Sequence, residues 1–197
     1  MNFLAHLYLS RHSESLMIGN FIGDTIKGNQ WQLHPEEIAK GILMHRAIDH
    51  FIDHHPIARA TSARFKPDFG KYSGVLTDMC YDYFLASRWI RFHEGPLEDF
   101  AAGIYGLIQR NDQHLSERAR FIFAHMQKHN WLCLYESLEG MERILEMMSH
   151  RIGHRVNLAA AIPVIREQEL EIEKEFLPFM EEARMRFESN GEIEGRD

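Results

Sequence analysis

Four pairs of polar side chains stand four residues apart early in the chain: Asn2/His6, Asn20/Asp24, His45/Asp49 and Asp78/Asp82. On a helix such residues share one face, a turn apart. Each pair is set among large apolar neighbours. Phe3, Leu4 and Leu7 surround His6; Phe21, Ile22 and Ile26 surround Asp24; Ile42, Met44 and Ile48 surround His45; Met79, Tyr83 and Phe84 surround Asp82. A carboxylate on the apolar side of a helix is costly unless it is paired or binds a metal. Imidazole and carboxylate together suit Mn, Fe, Zn or Mg. Inward His and Asp from several helices are how metal centres are built inside helical bundles. Any single pair fits a solvated helix face or a satisfied core histidine, and a backbone amide or Arg88 would satisfy Asp82 alone. Four together point to a shared metal site.

Other chemistries lack local support. The chain has no glycine-rich phosphate loop, dinucleotide fingerprint, Gly-x-Ser-x-Gly elbow or Cys-x-x-Cys pair. Cys80 and Cys133 read as free thiols in a reducing compartment. His50, Asp53, His54 and His55 precede Pro56 and read as exposed turn residues. His150 and His154, beside Arg151 and Arg155, read as solvated. Arg46 follows His45 directly and is a candidate phosphate clamp.

The elements that must carry these residues read as helices almost throughout. Phe3, Leu4, Leu7 and Tyr8 mark a short amphipathic helix. Ser13 reads as the N-cap of a second, ended by Gly28-Asn29. Pro35, with Glu36 and Glu37 behind it, starts a third that runs to about Ile52. Pro56 opens the next through Phe65, with a break from Pro67 to Gly70. Further helices are expected from about Lys71, from Pro96 to near Arg110, and over about 115–129, 131–149, 154–168 and 169–189. Pro163 and Pro178 are expected to kink or split two of these. Alternating strand patterns are nearly absent. The expectation is all-α: a single compact domain of nine or ten helices over 1–190, with a flexible tail at 191–197. The tail's Ile193-Glu194-Gly195-Arg196 resembles a protease-cleavage site and carries no fold argument.

With 197 residues, 45% hydrophobic and 26% charged, the chain can bury a sizeable core. No run is apolar for the roughly 18 residues a membrane span needs, and no secretory signal is visible. A cytoplasmic protein is expected. The net charge of −7 disfavours nucleic-acid binding. It is uneven, because residues 38–93 hold eight basic and five acidic side chains. That segment is a candidate face for an acidic partner.

The assembled residues resemble one family. Met1-Asn2-Phe3-Leu4-Ala5-His6-Leu7 and Gly19-Asn20-Phe21-Ile22-Gly23-Asp24 look like segments of the bacterial acyl carrier protein phosphodiesterases. So does Gly41-Ile42-Leu43-Met44-His45-Arg46-Ala47-Ile48-Asp49. Asp78-Met79-Cys80-Tyr81-Asp82-Tyr83-Phe84-Leu85 is similar to their Asp-x-x-x-Asp-His-Phe-Leu, with Tyr83 in the place of the histidine. The likeness is strong over residues 1–90 and thins to scattered matches such as Trp131, Tyr135 and Met148-Ser149-His150-Arg151.

The family is placed as a divergent relative of the HD-type phosphohydrolases, in which His and Asp are usually adjacent; here they stand apart as His45 and Asp49. The resemblance implies an all-helical, Mn-dependent enzyme of fatty acid biosynthesis. Its substrate would be holo-acyl carrier protein, cleaved at the phosphodiester between 4′-phosphopantetheine and a serine. The expected metal ligands are His6, Asp24, His45, Asp49 and Asp78, for Mn²⁺ or, failing that, Fe²⁺, Mg²⁺ or Zn²⁺. The expected catalytic residues are Asp24, Arg46, Asp78 and Asp82. Arg46 would neutralise the phosphoryl oxygens, and Asp78 or Asp82 would orient water or manage a proton. Arg59, Arg64, Lys66, Lys71, Arg88 and Arg91 are candidates for docking the acidic carrier protein. Two rival readings stand beside this one: an HD-type phosphohydrolase of a nucleotide or small phosphate ester, and a non-catalytic helical module whose polar pairs are buried networks.

Overall fold

The caps legible in the sequence start the helices where they stand. The computed structural model describes residues 3–188. Helix α1 is Phe3–Leu9. Helix α2 is Glu14–Ile22, opened by Ser13, whose hydroxyl accepts from the Leu16 amide at 3.4 Å. Pro35 precedes α3, Glu36–His54. Pro56 opens α4, Pro56–Phe69. Helices α5, Ser73–Ser87, and α6, Leu97–Arg110, follow. Ser116 caps α7, Glu117–His129. The remainder is α8, Trp131–Leu134; α9, Leu138–Arg151; α10, Ile162–Glu167; and α11, Glu169–Glu188. There is no strand among the described residues, so the all-α expectation holds. No helix among them is long and apolar enough to cross a membrane.

Several boundaries differ from the expectations, each for a local reason. Helix α2 stops at Ile22, and a 3₁₀ turn, Gly23–Thr25, carries Asp24. Pro67 lies inside α4, in its last turn, and does not break it. The stop is Gly70, whose φ of 52° only glycine adopts without strain. The stretch 131–149 is two helices, because Ser137 caps α9 by accepting from the Gly140 amide at 3.0 Å. Pro163 stands in the first turn of α10 and Pro178 inside a continuous α11. The expected tail at 191–197 lies outside the described residues.

Helix α1 is the hub. All seven of its residues are buried, and α2, α5 and α11 pack on it. A helix this short is unstable alone, so its neighbours hold it. Around it, Phe51, Tyr81, Phe84, Phe176 and Phe179 form an aromatic core joining α3, α5 and α11. The tightest crossing is α2 on α3, at Gly19 and Gly41. A Cβ on Gly41 would stand 2.8 Å from the Gly19 Cα, and a Cβ on Gly19 would overlap the Ile38 carbonyl oxygen. The two backbones touch there because neither residue has a side chain. That contact sets Asp24 against His45.

Candidate metal centre

Three helices and one turn converge on a small polar site. His6 comes from α1, Asn20 from α2, Asp24 from the 3₁₀ turn, and His45 and Asp49 from successive turns of α3. The His6 and His45 rings stack, with centroids 4.2 Å apart. His6 Nε2 lies 3.2 Å from Asp49 Oδ1, and His45 Nε2 lies 3.2 Å from Asp49 Oδ2. Asp24 Oδ1 is 3.3 Å from the same His45 nitrogen. One ligand atom each from His6, His45 and Asp49 falls within 4.8 Å of the others. Both imidazoles are buried, whereas Asp49 and Asp24 are 48% and 29% exposed on their side chains. The site therefore opens to solvent on its carboxylate side.

The neighbours tune the charge. Burial and the adjacent His45 lower the proton affinity of His6. Burial also opposes protonation of His45, but Asp24 and Asp49 outweigh it and lift that imidazole to about 9. Burial works against both carboxylates, yet the histidines hold Asp49 well below the usual carboxylate range and keep Asp24 low as well. Two carboxylates and two neutral imidazoles would leave a charge of −2 in a half-buried site, which calls for a compensating cation. A proton on His45 supplies half of it, and a divalent ion would supply all of it. Two imidazole nitrogens with carboxylate oxygens are a donor set suited to Mn, Fe or Zn, so the residues fit the expected group.

Asn20 was paired with Asp24 in the sequence but not counted in the site. Its Oδ1 lies 2.8 Å from His6 Nδ1. With Nδ1–H donating to that oxygen, the lone pair of His6 Nε2 faces Asp49. This is the kind of second contact that fixes the tautomer of a metal-binding histidine. Gly23 was missed altogether. A Cβ there would stand 2.5 Å from His45 Cγ, so the bare backbone of the turn forms one wall of the imidazole slot. The sequence signal for Gly23 was its place in the family-like segment Gly19-Asn20-Phe21-Ile22-Gly23-Asp24.

The other expected residues are distributed as follows. Asp78 on α5 is half-buried, and burial raises its carboxyl above the ordinary range. His6 and Asp49 are both near enough to act on it electrostatically. Asp82 faces elsewhere. Its two oxygens accept from the backbone amides of Leu4 at 3.1 Å and Ala5 at 2.9 Å. It thus caps the buried start of α1. Full burial pushes its carboxyl up to about 7 despite those two donors. Arg46 Nη2 donates to the carbonyl oxygens of Ile26 at 3.2 Å and Gly28 at 2.7 Å, tying α3 to the loop after Asp24. Asn2 lies outside the described residues.

The family model for acyl carrier protein phosphodiesterase matches residues 1–183. The chain belongs to the acyl carrier protein phosphodiesterase family. It is 31% identical to the acyl carrier protein phosphodiesterase of Yersinia pestis over 180 residues, 91% of this chain and 93% of that one. It is 31% identical to that of Pectobacterium atrosepticum over 81% of this chain and 82% of the relative. The protein of that name from Photorhabdus laumondii is 27% identical over 92% and 94%. No solved structure matches the chain, so the likeness to HD-type phosphohydrolases has no structural neighbour behind it.

Two expectations outside the site need correction. Arg64 and Arg88 are not free docking charges. Arg64 forms a two-pronged pair with Glu175 at 2.6 Å per bond, and Arg88 does the same with Glu173 at 2.8 Å. Arg59, Lys66, Lys71 and Arg91 do stand exposed. His55 is buried rather than an exposed turn residue: its Nδ1 accepts from the Ile57 amide at 3.2 Å and its Nε2 meets Glu182 at 3.1 Å.

Proposed function

We propose that this protein hydrolyses the phosphodiester joining 4′-phosphopantetheine to a serine of acyl carrier protein, with a divalent cation, Mn²⁺ foremost, held by His6, His45 and Asp49. The observation that carries this reading is the convergence of two buried imidazole nitrogens on one half-exposed carboxylate, in a chain of this family. Asp24 stands on the solvent side of the same site, and Asp78 is near enough to His6 and Asp49 to interact with them electrostatically. A divalent cation bound there would supply Lewis acidity toward a phosphoryl oxygen and would acidify water.

The chain's own groups do the rest. Asn20 holds the His6 ring in one tautomer. The His6 ring stacks on His45, and the Gly23 backbone packs against the root of that ring. Asp24, ionised and solvent-facing, is placed to orient the attacking water and take its proton. Asp78, whose carboxyl burial pushes up from its ordinary value, is the candidate to return a proton to the leaving serine oxygen. Arg46 keeps its other guanidinium N–H groups for the non-bridging phosphoryl oxygens. Water oxygen bonds to phosphorus, the bond from phosphorus to the serine oxygen breaks, and the products are apo carrier protein and 4′-phosphopantetheine. Cys80 and Cys133, both free, suit the reducing cytoplasm, where we place the protein in fatty acid biosynthesis.

The test is a substrate panel with Mn²⁺ present: holo carrier protein, apo carrier protein, nucleotides and small phosphate esters. The expected result is turnover of holo carrier protein alone, read as free phosphopantetheine. Turnover of nucleotides with none on holo carrier protein would overturn the reading in favour of a small-molecule phosphohydrolase.

A further inference from the structure

The position of the scissile bond constrains docking. That bond joins the arm to a serine, so the carrier protein's own surface must come up to the metal centre. The groups that receive it must rim the site. Beside the exposed carboxylates, the rim is the loop between Asp24 and α3. It begins at Thr25, and Arg46, three residues before Asp49, ties its Ile26 and Gly28 carbonyls to α3. Its 3₁₀ turn, Gln30–Leu33, packs against α3. The amides of Gln30, Gln32 and His34 donate to the carbonyls of Lys27, Asn29 and Trp31, each at 3.1 Å. The loop is therefore a built surface, already in one shape before a partner arrives.

Its chemistry departs from that of the chain. Leu33 is 84% exposed, a large apolar side chain that nothing in the fold covers. In a chain of net charge −7, residues 25–35 contain no acid. Lys27 is exposed, and neither it nor Arg46 meets a carboxylate among the described residues. His114, at the end of the turn before α7, is near enough to His34 to act on it electrostatically. The neighbouring acids are already paired: Glu36 and Glu37 with Lys40 at 3.1 and 2.7 Å, and Asp112 with Arg120 at 2.9 Å. Glu117 and Arg118, exposed side by side at the start of α7, offset each other. What the loop presents is an apolar knob beside uncompensated positive charge.

We propose that this loop, with Leu33 and Lys27 foremost, is the docking surface for the acidic carrier protein whose serine is presented to the metal centre. The inference rests on the phosphodiesterase reading. Leu33 is the anchor, placed to fill an apolar hollow on the partner and lose its exposure there. Lys27 faces the partner's carboxylates at the rim, where charge sets the rate and register of encounter more than the final affinity. The exposed bases of α4, Arg59 and Lys66, stand on the helix that leaves α3 beyond His54, and they take no part in this contact.

The experiment uses the full chain and two readouts. The first is the Kd for apo carrier protein, which lacks the phosphodiester, by isothermal titration calorimetry over a series of sodium chloride concentrations. The second is KM for holo carrier protein. Leu33→Ala and Lys27→Glu alter exposed side chains and leave the packing intact; Arg59→Glu/Lys66→Glu is the comparison on α4. Losing the apolar contact of a leucine is worth about tenfold. Leu33→Ala should therefore weaken apo carrier protein binding and raise KM by about tenfold. Lys27→Glu should weaken binding by about fivefold at low salt and flatten its salt dependence. Arg59→Glu/Lys66→Glu should change Kd by less than about twofold. If wild type does not bind apo carrier protein, if Leu33→Ala and Lys27→Glu bind it as wild type does, or if the α4 variant loses more than either, the docking surface is overturned. Binding that the loop variants weaken, in a protein that releases no phosphopantetheine from holo carrier protein, would uphold the surface and overturn the phosphodiesterase reading alone.

Discussion

Gly23→Ala separates the site from the fold. The added Cβ would lie 2.5 Å from His45 Cγ, 2.6 Å from its Cβ and 2.8 Å from its Cδ2. Ordinary carbon contacts are about 3.5–4.0 Å, so the overlap is roughly 1 Å. The atoms struck are the root of the ring, which cannot swing clear without moving α3. Overpacking of this kind costs about 1–3 kcal/mol. Against it, Gly23 has helical dihedrals, φ −49° and ψ −43°, which alanine adopts freely. The loss of unfolded-chain freedom returns about 0.4–1 kcal/mol. The net change in stability should be modest, at most about 2.6 kcal/mol. Activity should respond differently, because displacing a reacting group by 1 Å costs on the order of 10²-fold. The assays are thermal unfolding, Mn²⁺ titration calorimetry and turnover of holo carrier protein. Turnover and Mn²⁺ affinity equal to wild type would refute the role given to the His45 slot.

Further predictions follow from the same geometry. Asn20→Ala removes the acceptor that orients His6 and should weaken Mn²⁺ binding by about 10–100-fold, whereas Asn20→Asp keeps an acceptor and should lose less; calorimetry separates the two. Asp24→Ala should abolish turnover with helix content unchanged by circular dichroism, and retained activity in a metal-verified assay would remove Asp24 from the site. Asp82→Ala strips the cap from the start of α1 and should cost about 1–2 kcal/mol or more in urea unfolding. Asp82 also carries a pH signature. Its folded carboxyl titrates at about 7 against 3.8 for the ordinary group. Its contribution is fully present below pH 3.8 and is lost as pH rises through 7. Relative to Asp82→Asn, wild type should therefore lose stability between about pH 4 and 7, by up to a few kcal/mol. Parallel stability curves for the two proteins would contradict that titration.

Much of the scaffold was legible because prolines and serines act locally. Pro35, Pro56, Pro96 and Ser13 open helices through their own dihedrals and hydroxyls, whatever packs around them. The division of 131–149 into two helices was not, since Ser137 within an apolar rhythm reads as one more helical residue until its hydroxyl meets the Gly140 amide. In the site, i, i+4 spacing places His45 and Asp49 on one face and singles out His6 with Asn2, and the family resemblance then puts His6 among the ligands. Spacing alone cannot say what a face meets. Asp78 and Asp82 share a face of α5, yet Asp82 spends both oxygens on the amides of α1. Gly19, Gly23 and Gly41 set the close approach that builds the site, but a missing side chain leaves no periodic trace.

The central claim is that His6, His45 and Asp49 hold a divalent cation on which release of phosphopantetheine depends. It is tested most directly by the intact mass of holo carrier protein after incubation with chelator-treated protein, with and without added Mn²⁺, for wild type and His45→Ala. The account predicts complete conversion to the apo mass by wild type with Mn²⁺ only, and no conversion by His45→Ala under either condition. Equal conversion without metal, or conversion by His45→Ala at the wild-type rate, would contradict it.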